Sequence, residues 1–472
     1  MNFGPFKEHW KIAKKSSGTT CREQSIANAF SPYHRFANFP PMKIRVGLIG
    51  LGTVGSGVLD LLERHRDFFK GSLGFDFELQ GICSRSQSRL DLFAGRAPLL
   101  TRNPMEITTH PDIDVVLEMA GGEDEPRAWV EAAFAHKKHV ITANKALLAK
   151  HGLTLFPLAE KHGRFLLFEA AVGGGIPIIR TLQESFIAND IHGLACIING
   201  TCNYILSEMA GKKLSFQTAL TRAQELGYAE ADPAFDIEGT DSAHKVSLLA
   251  SLCYGKYVDY ASMSVEGITS ISDVDIQMAE EMGFTIKLLG IVSQDKAGRI
   301  QANVYPALLE KKHQLATVDG VLNAVFLKTS AVGPLLLTGA GAGKLPTASS
   351  VISDLVSLAR QLATGNPVAQ PMGFFSMKNR ADLLPIDELE TEFYLRLTAV
   401  DKPGVLAKVT AILGEEGISI RALVQKPEHD PENVPVIFLT HTARNARIRS
   451  ALKRIDELDI IQAPTQVLRF YH

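Results

Sequence analysis
The run KIRVGLIG passes directly into Gly50, Leu51, Gly52, Thr53, Val54, Gly55 and then into the amphipathic stretch SGVLDLLERH, which narrows sharply what this chain can build. A short run that turns wholly apolar from Val46 reads as a buried strand, as in a parallel sheet. G-x-G-x-x-G set between such a strand and a helix is a dinucleotide-binding turn. Gly50 permits the tight reversal, Gly52 lets backbone approach a pyrophosphate, and Gly55 lets the helix pack on the strand. A merely flexible loop would explain the glycines but not their placement. Strand-like runs recur at FELQGI (77–82), DVVLEMA (114–120) and HVITANK (139–145), with the helical PRAWVEAAFAHK between the last two. Alternating strands and helices imply an α/β fold with a Rossmann-type doubly wound parallel sheet over residues 42–170.

The second strand should end beside the adenosine ribose, where an NAD enzyme usually offers an acid to the 2′-hydroxyl. Here the chain offers Cys83, Ser84, Arg85 and Ser86. An arginine with hydroxyls suits a 2′-phosphate, so NADP is favoured over NAD, the alternative being a solvated Arg85.

A second unit begins near FLLFEAAVGGGIPIIRTLQESF, and an α+β substrate and dimerisation domain is expected over 171–335, with strands at IHGLACIING, LLGIVSQ and RIQANVY. TGAGAGKLPTASSVISDLVSLARQLA lacks the spacing of a Walker loop; residues 336–385 are read as a return to the nucleotide domain followed by a linker. From 390 to 472 the order is strand, DKPG turn, helix, Gly417 stop, strand, strand, helix, strand. This ferredoxin-like βαββαβ plan resembles an ACT domain in Asp401, Pro403, Gly404 and Gly417, with a plain oligomerisation module as the alternative. Residues 1–41 fit no element and read as a disordered or spurious extension, with Met42 the natural start.

A formal net charge of -2 gives no electrostatic reason to expect a nucleic acid or an anionic membrane as partner. No apolar run reaches the length of a membrane span. Five cysteines without a CxxC pair suggest neither a disulfide framework nor a zinc site, and a reducing cytoplasm fits them.

The chemistry concentrates in LGYAEADPAFDIEGTDSAHK. Asp241 and Lys245 stand four apart in a helical segment and so share a face. That segment continues as KVSLLASLC, whose apolar face must be buried, so the charged pair is carried toward the interior. A surface ion pair is the bland alternative. The acidic cluster Glu230, Asp232 and Asp236 in the preceding loop instead suggests a pocket for a small charged substrate, with a lysine as acid and base. His244 beside it reads as a packing group.

GLGTVGSGV, TANK, EAAVGGGIP, LGYAEADP with DSAHK, and GAGAGKLPTASSV stand in the order and approximate spacing of one family. From Met42 onward the chain resembles homoserine dehydrogenases with a C-terminal ACT domain. The resemblance implies reversible, nicotinamide-dependent interconversion of L-homoserine and L-aspartate 4-semialdehyde, on the route to threonine, methionine and isoleucine. It implies Lys245 and Asp241 as catalytic residues, Glu230 on the substrate ammonium, and Asp236, Tyr228, Thr201 and Lys145 near the substrate. Lys145 would also reach the nicotinamide region, and Gly227 and Gly343 would line the cofactor cleft. A monovalent cation such as Na+ is implied on carbonyls around Glu169, Val172, Gly174 and Ile176, although loop stiffness would explain the same glycines. The family further implies a homodimer or homotetramer and L-threonine as effector. Two rivals remain open at this point: another semialdehyde oxidoreductase acting through a Cys202 thiolate, and a catalytically dead ACT sensor.

Overall fold
The computed structural model describes residues 40–365, 379–425 and 433–472. Of the extension read at residues 1–41, residues 1–39 lie outside the described residues. Strands β1 (Met42–Ile49), β2 (Phe75–Cys83), β3 (Leu99–Thr101), β4 (Val115–Glu118), β5 (His139–Thr142) and β6 (Leu166–Leu167) form a parallel sheet in the order β3-β2-β1-β4-β5-β6. The order reverses between β1 and β4, and a crevice opens beyond their carboxyl ends.

The helix Thr53–Arg64 leaves β1 at that crevice. Its first-turn N–H groups receive no side-chain cap from Gly52, which keeps them free for an anion. The glycines divide the work as the sequence suggests. Gly50 sits at φ +103°, and a Cβ on Gly55 would lie 1.9 Å from the Gly50 carbonyl oxygen, whereas nothing stands within 4 Å of a Cβ on Gly52. Gly50 and Gly55 are thus required by the protein's own packing, and Gly52 is left open to a ligand.

A second sheet starts with β7 (Ile191–Ile197), β8 (Ser264–Val265), β9 (Phe284–Gln294), β10 (Ile300–Glu310), β11 (Leu322–Thr329) and β12 (Gly333–Ala340). Alternation along β7 sends Leu194 and Cys196 into a core shared with the helices Gly200–Lys212 and Thr240–Tyr254, and Ala195 and Ile197 into a smaller core on the opposite face. Helix Lys344–Ala363 then packs on helix Thr53–Arg64 of the nucleotide-binding unit. The approach is close: a Cβ on Gly57 would be 2.6 Å from the Lys344 carbonyl oxygen.

The C-terminal unit contributes β13 (Glu390–Thr391), β14 (Phe393–Ala399), β15 (Ile420–Gln425), β16 (Val434–Thr440), β17 (Ala443–Arg444) and β18 (Ile461–Tyr471), with helices Val405–Glu415 and Asn445–Asp456. Its four long strands and two helices follow the expected βαββαβ plan. Its sheet is continuous with the second one, which no local pattern in the sequence encodes. β18 pairs in parallel with β10 through Ala307, Leu308 and Leu309 opposite Arg469, Phe470 and Tyr471, giving the order β12-β11-β7-β9-β10-β18-β14-β16-β15. Two ion pairs cross the seam. Arg396 forks onto Asp275 at 2.7 and 3.0 Å with Tyr394 Oη donating to the same carboxylate at 2.9 Å, and Arg469 forks onto Glu266 at 2.8 and 2.9 Å. Among the described residues no helix is long and apolar enough to cross a membrane.

Candidate active site
A cleft of about 600 Å³ opens where the first sheet's carboxyl ends face the second unit. Thr53 and Val54 of the glycine turn line one side, and Asp241 and Lys245 another. Helix Thr240–Tyr254 is buried on nearly every face, so its first turns carry the charged pair inside, as the sequence requires. Lys245 Nζ lies 2.6 Å from Asp241 Oδ2 and donates to the Ile198 carbonyl at 2.9 Å. An ammonium has three N–H bonds. Two are used here, and the third is available to a ligand in the cleft.

Lys145 arrives from the other unit. The hydroxyl of Thr142 at the end of β5 donates to the buried Glu118 carboxylate at 2.6 Å, and the Asn144 side chain caps helix Lys145–Lys161 by accepting from Leu147 N at 3.1 Å. The TANK turn is therefore fixed by β4 and β5, and it holds Lys145 Nζ 3.2 Å from Asp241 Oδ1. One carboxylate thus gathers two ammonium groups. Burial alone would raise its pKa, but Lys245, Lys145 and the Asn199 amide outweigh it and bring Asp241 down to about 2.

Asn199 was not singled out by the sequence reading. Its Nδ2 donates to Asp236 Oδ1 at 2.7 Å and to Asp241 Oδ2 at 2.9 Å, while its Oδ1 accepts from Cys202 N at 2.8 Å and caps helix Gly200–Lys212. The available signal was an asparagine between a buried strand and a helix start, where Asn is a preferred N-cap. Thr201 Oγ1 donates to the Tyr228 carbonyl at 2.6 Å and lies 3.1 Å from Asp236 Oδ2. Asp236, Tyr228, Thr201, Gly227 and Gly343 all line the cleft.

Other expected residues lie apart from these. Glu230 is exposed and outside the cleft lining, and its carboxylate has no ion-pair partner among the described residues. Arg85 stands at the end of β2, exposed and paired with Glu125 at 2.7 Å. Leu51 is buried, with its carbonyl accepting from Arg89 at 2.7 Å. At the proposed cation loop, the Glu169 carboxylate accepts from Ile179 N at 2.9 Å and Arg180 N at 2.8 Å, so the side chain serves the following helix. The Gly174 carbonyl accepts from Ser350 Oγ at 2.6 Å and that of Ile176 from Ile178 N at 2.8 Å; Val172 is fully buried. Among the described residues no group of three or more His, Cys, Asp or Glu side chains could hold a metal. Cys202 is fully buried, its thiol donates to the Asp236 carbonyl at 3.2 Å, and burial beside Asp236 and Asp241 pushes it well above the usual thiol range. That environment is opposite to what a nucleophilic thiolate needs. His244 is buried edge-on against Tyr260 and Phe235, as a packing group would be.

Residues 177–356 match the family model for homoserine dehydrogenase, 50–169 that for the homoserine dehydrogenase NAD binding domain, and 393–459 that for the ACT domain. The chain is similar to the homoserine dehydrogenase of Neisseria gonorrhoeae, at 41% identity over 90% of this chain and 98% of that protein. Against that of Pseudomonas aeruginosa the identity is 40%, over 90% of this chain and 98% of the relative. The crystal structure of a homoserine dehydrogenase from Thiobacillus denitrificans is similar with a TM-score of 0.85 and 43% identity, covering 92% of this chain and 99% of that one.

Proposed function
Since the chain belongs to the homoserine dehydrogenase family, we propose that Lys245, Lys145 and Asp241 are the groups with which it interconverts L-homoserine and L-aspartate 4-semialdehyde. The observation that carries this reading is the shared contact of both ammonium groups with one buried carboxylate, in the cleft that the glycine turn also lines. The open face at Gly52 and the uncapped helix N-terminus behind it fit a dinucleotide pyrophosphate. A bound nicotinamide supplies the hydride and accepts it back in the reverse direction.

The protein's part is charge and proton handling. As an aldehyde becomes an alcohol, negative charge grows on its oxygen, and the free N–H of Lys245 is placed to meet that charge and deliver the proton. Lys145 adds a second positive charge to the same region. Asp241, ionised throughout the neutral range, holds both lysines in register and offsets their mutual repulsion. In the oxidation direction the proton returns to Lys245.

Glu230 is proposed to take the substrate ammonium. Two residues from the cleft-lining Tyr228, its carboxylate lacks a described counter-ion, which the substrate would provide. Such a contact exists in ground and transition states alike. Glu230→Gln is therefore expected to raise the homoserine KM about tenfold with kcat nearly unchanged, and an unaltered KM in steady-state assays would remove Glu230 from substrate binding.

Arg85 supports NADP over NAD, because a 2′-phosphate can displace the exposed Glu125 carboxylate from its guanidinium. The test of the function is homoserine-dependent reduction of NADP followed by absorbance, with aspartate semialdehyde as product. In Arg85→Ala, NADP affinity should fall about tenfold and NAD affinity should hold. Equal losses would show that this arginine does not read the phosphate. No homoserine-dependent reduction with either cofactor would overturn the functional reading itself.

L-threonine is proposed as the effector, supported by the ACT plan and by the uncapped N-terminus of helix Val405–Glu415 behind Gly404. A homo-oligomer is proposed because the second sheet ends at β12 and β15, each paired on one side only among the described residues. A reducing, cytoplasmic setting is supported by the free thiols of Cys83, Cys196, Cys202 and Cys253. A monovalent cation on the 169–176 loop would have to share the Gly174 and Ile176 carbonyls with their present donors.

A further inference from the structure
Asn323 is the one cleft-lining side chain whose buried polar atom is left without a hydrogen-bond partner among the described residues. It stands just inside β11. Ala324 pairs with Ile197, so Asn323 lies one rung further on, beside Ile198, whose carbonyl accepts from Lys245 Nζ. The residue is 1% exposed, its Oδ1 is buried with no partner, and its Nδ2 donates to no described residue. A buried polar group left unsatisfied keeps its full desolvation penalty. The strand does not need the amide, since Val325, next on the same face, belongs to the apolar core.

The surroundings are shaped to admit that amide. A Cβ on Gly341 would lie 1.9 Å from Asn323 Nδ2 and 2.0 Å from its Cγ, so only glycine leaves room for it. Gly341 in turn is pressed against Gly174, where a Cβ would come within 2.4 Å of the Gly341 carbonyl oxygen. The Gly341 loop therefore closes directly on a side chain with an unused donor and an unused acceptor, and the Gly174 loop backs it from behind.

We propose that the Asn323 side-chain amide binds the carboxamide of the nicotinamide ring, donor to acceptor and acceptor to donor, and so fixes the rotation of that ring beside Lys245. The inference rests on the reading of this cleft as the nicotinamide site. Ligand chemistry selects the carboxamide. A carboxylate only accepts and an ammonium only donates, so either end of homoserine would leave half of the asparagine amide unpaired. The homoserine hydroxyl can do both, but it is the reacting group that the lysines hold. A primary carboxamide satisfies both atoms at once.

The test measures binding without turnover. Calorimetric titration compares NADP with its 3-acetylpyridine analogue, in which a methyl group replaces the carboxamide nitrogen. Wild-type protein should bind the analogue several-fold more weakly than NADP. Asn323→Leu should weaken NADP about tenfold and the analogue much less, so that the two affinities converge. Equal loss for both ligands, or no loss of NADP affinity, overturns the proposal; so does a raised homoserine KM with NADP affinity intact, which would put the amide on the substrate. Should the leucine variant fail to fold, the wild-type comparison still decides, because equal affinity for the two ligands excludes a carboxamide contact. Wild-type protein that binds neither ligand would sink the functional reading instead.

Discussion
Lys245→Met is expected to lower kcat by about a hundredfold or more in both directions, while calorimetric NADP affinity and Tm stay near those of the wild type. Methionine keeps the length and apolar stem of lysine, so the change isolates the ammonium. It removes a donor from the Ile198 carbonyl and leaves Asp241 with Lys145 and Asn199 as partners, which keeps that carboxylate from being stranded. Turnover within a few-fold of wild type would take Lys245 out of proton transfer. The pH dependence separates the two members of the pair. A carboxylate held at about 2 in the folded protein favours folding above its unfolded pKa, and that contribution disappears only as pH falls through the folded value. Asp241 therefore stays ionised at pH values well above 2, so an acidic limb of the rate profile near neutrality comes from another group.

The fold was legible where a local pattern fixes it. The glycine turn between strand and helix gave the first sheet, because the close approach of Gly55 to Gly50 is written in residue types at fixed spacing. The Asp241–Lys245 pair was legible for the same reason, being four apart on one helix. Its third partner was not. Lys145 reaches Asp241 from a separate sheet, and no spacing in the chain encodes that distance. Asn199 was hidden differently: its cap geometry is a common local motif, and only the placement of Asp236 and Asp241 turns its other amide atom into a bridge. β11 and β12 were missed too, although they bring Asn323 and Gly341 together, because the second reads as a glycine-rich loop. The seam between β10 and β18 was illegible for the general reason that strand pairing across distant segments depends on topology rather than on either strand's pattern.

That seam changes what the C-terminal unit can be. Tyr394, Ile437, Leu439, Leu468 and Phe470 share a core with the helix Asp273–Glu281, so removing everything from Glu390 onward would expose apolar surface and strand Asp275, and cannot serve as a clean test of sensing. A point change can. Arg396→Met removes the guanidinium that forks onto Asp275, a fully buried carboxylate otherwise held by Tyr394 and by its own capping box with Ser272. Breaking a buried pair from one side typically costs about 3–5 kcal/mol, because the remaining charge keeps its desolvation penalty without its partner. A large drop in Tm by calorimetry is the expected result. Asp275→Asn combined with Arg396→Met should recover part of it, since the stranded charge is then gone while the cap acceptor remains. A Tm within a degree or two of wild type would mean that the seam is held by its apolar core alone. The same variant addresses regulation. If threonine bound in the C-terminal unit acts on the cleft through this seam, Arg396→Met assayed below its Tm should still bind threonine yet lose most of its inhibition, because coupling requires that the two units change state together. Inhibition of wild-type strength in that variant would place the coupling elsewhere, through the β10 and β18 pairing or between subunits.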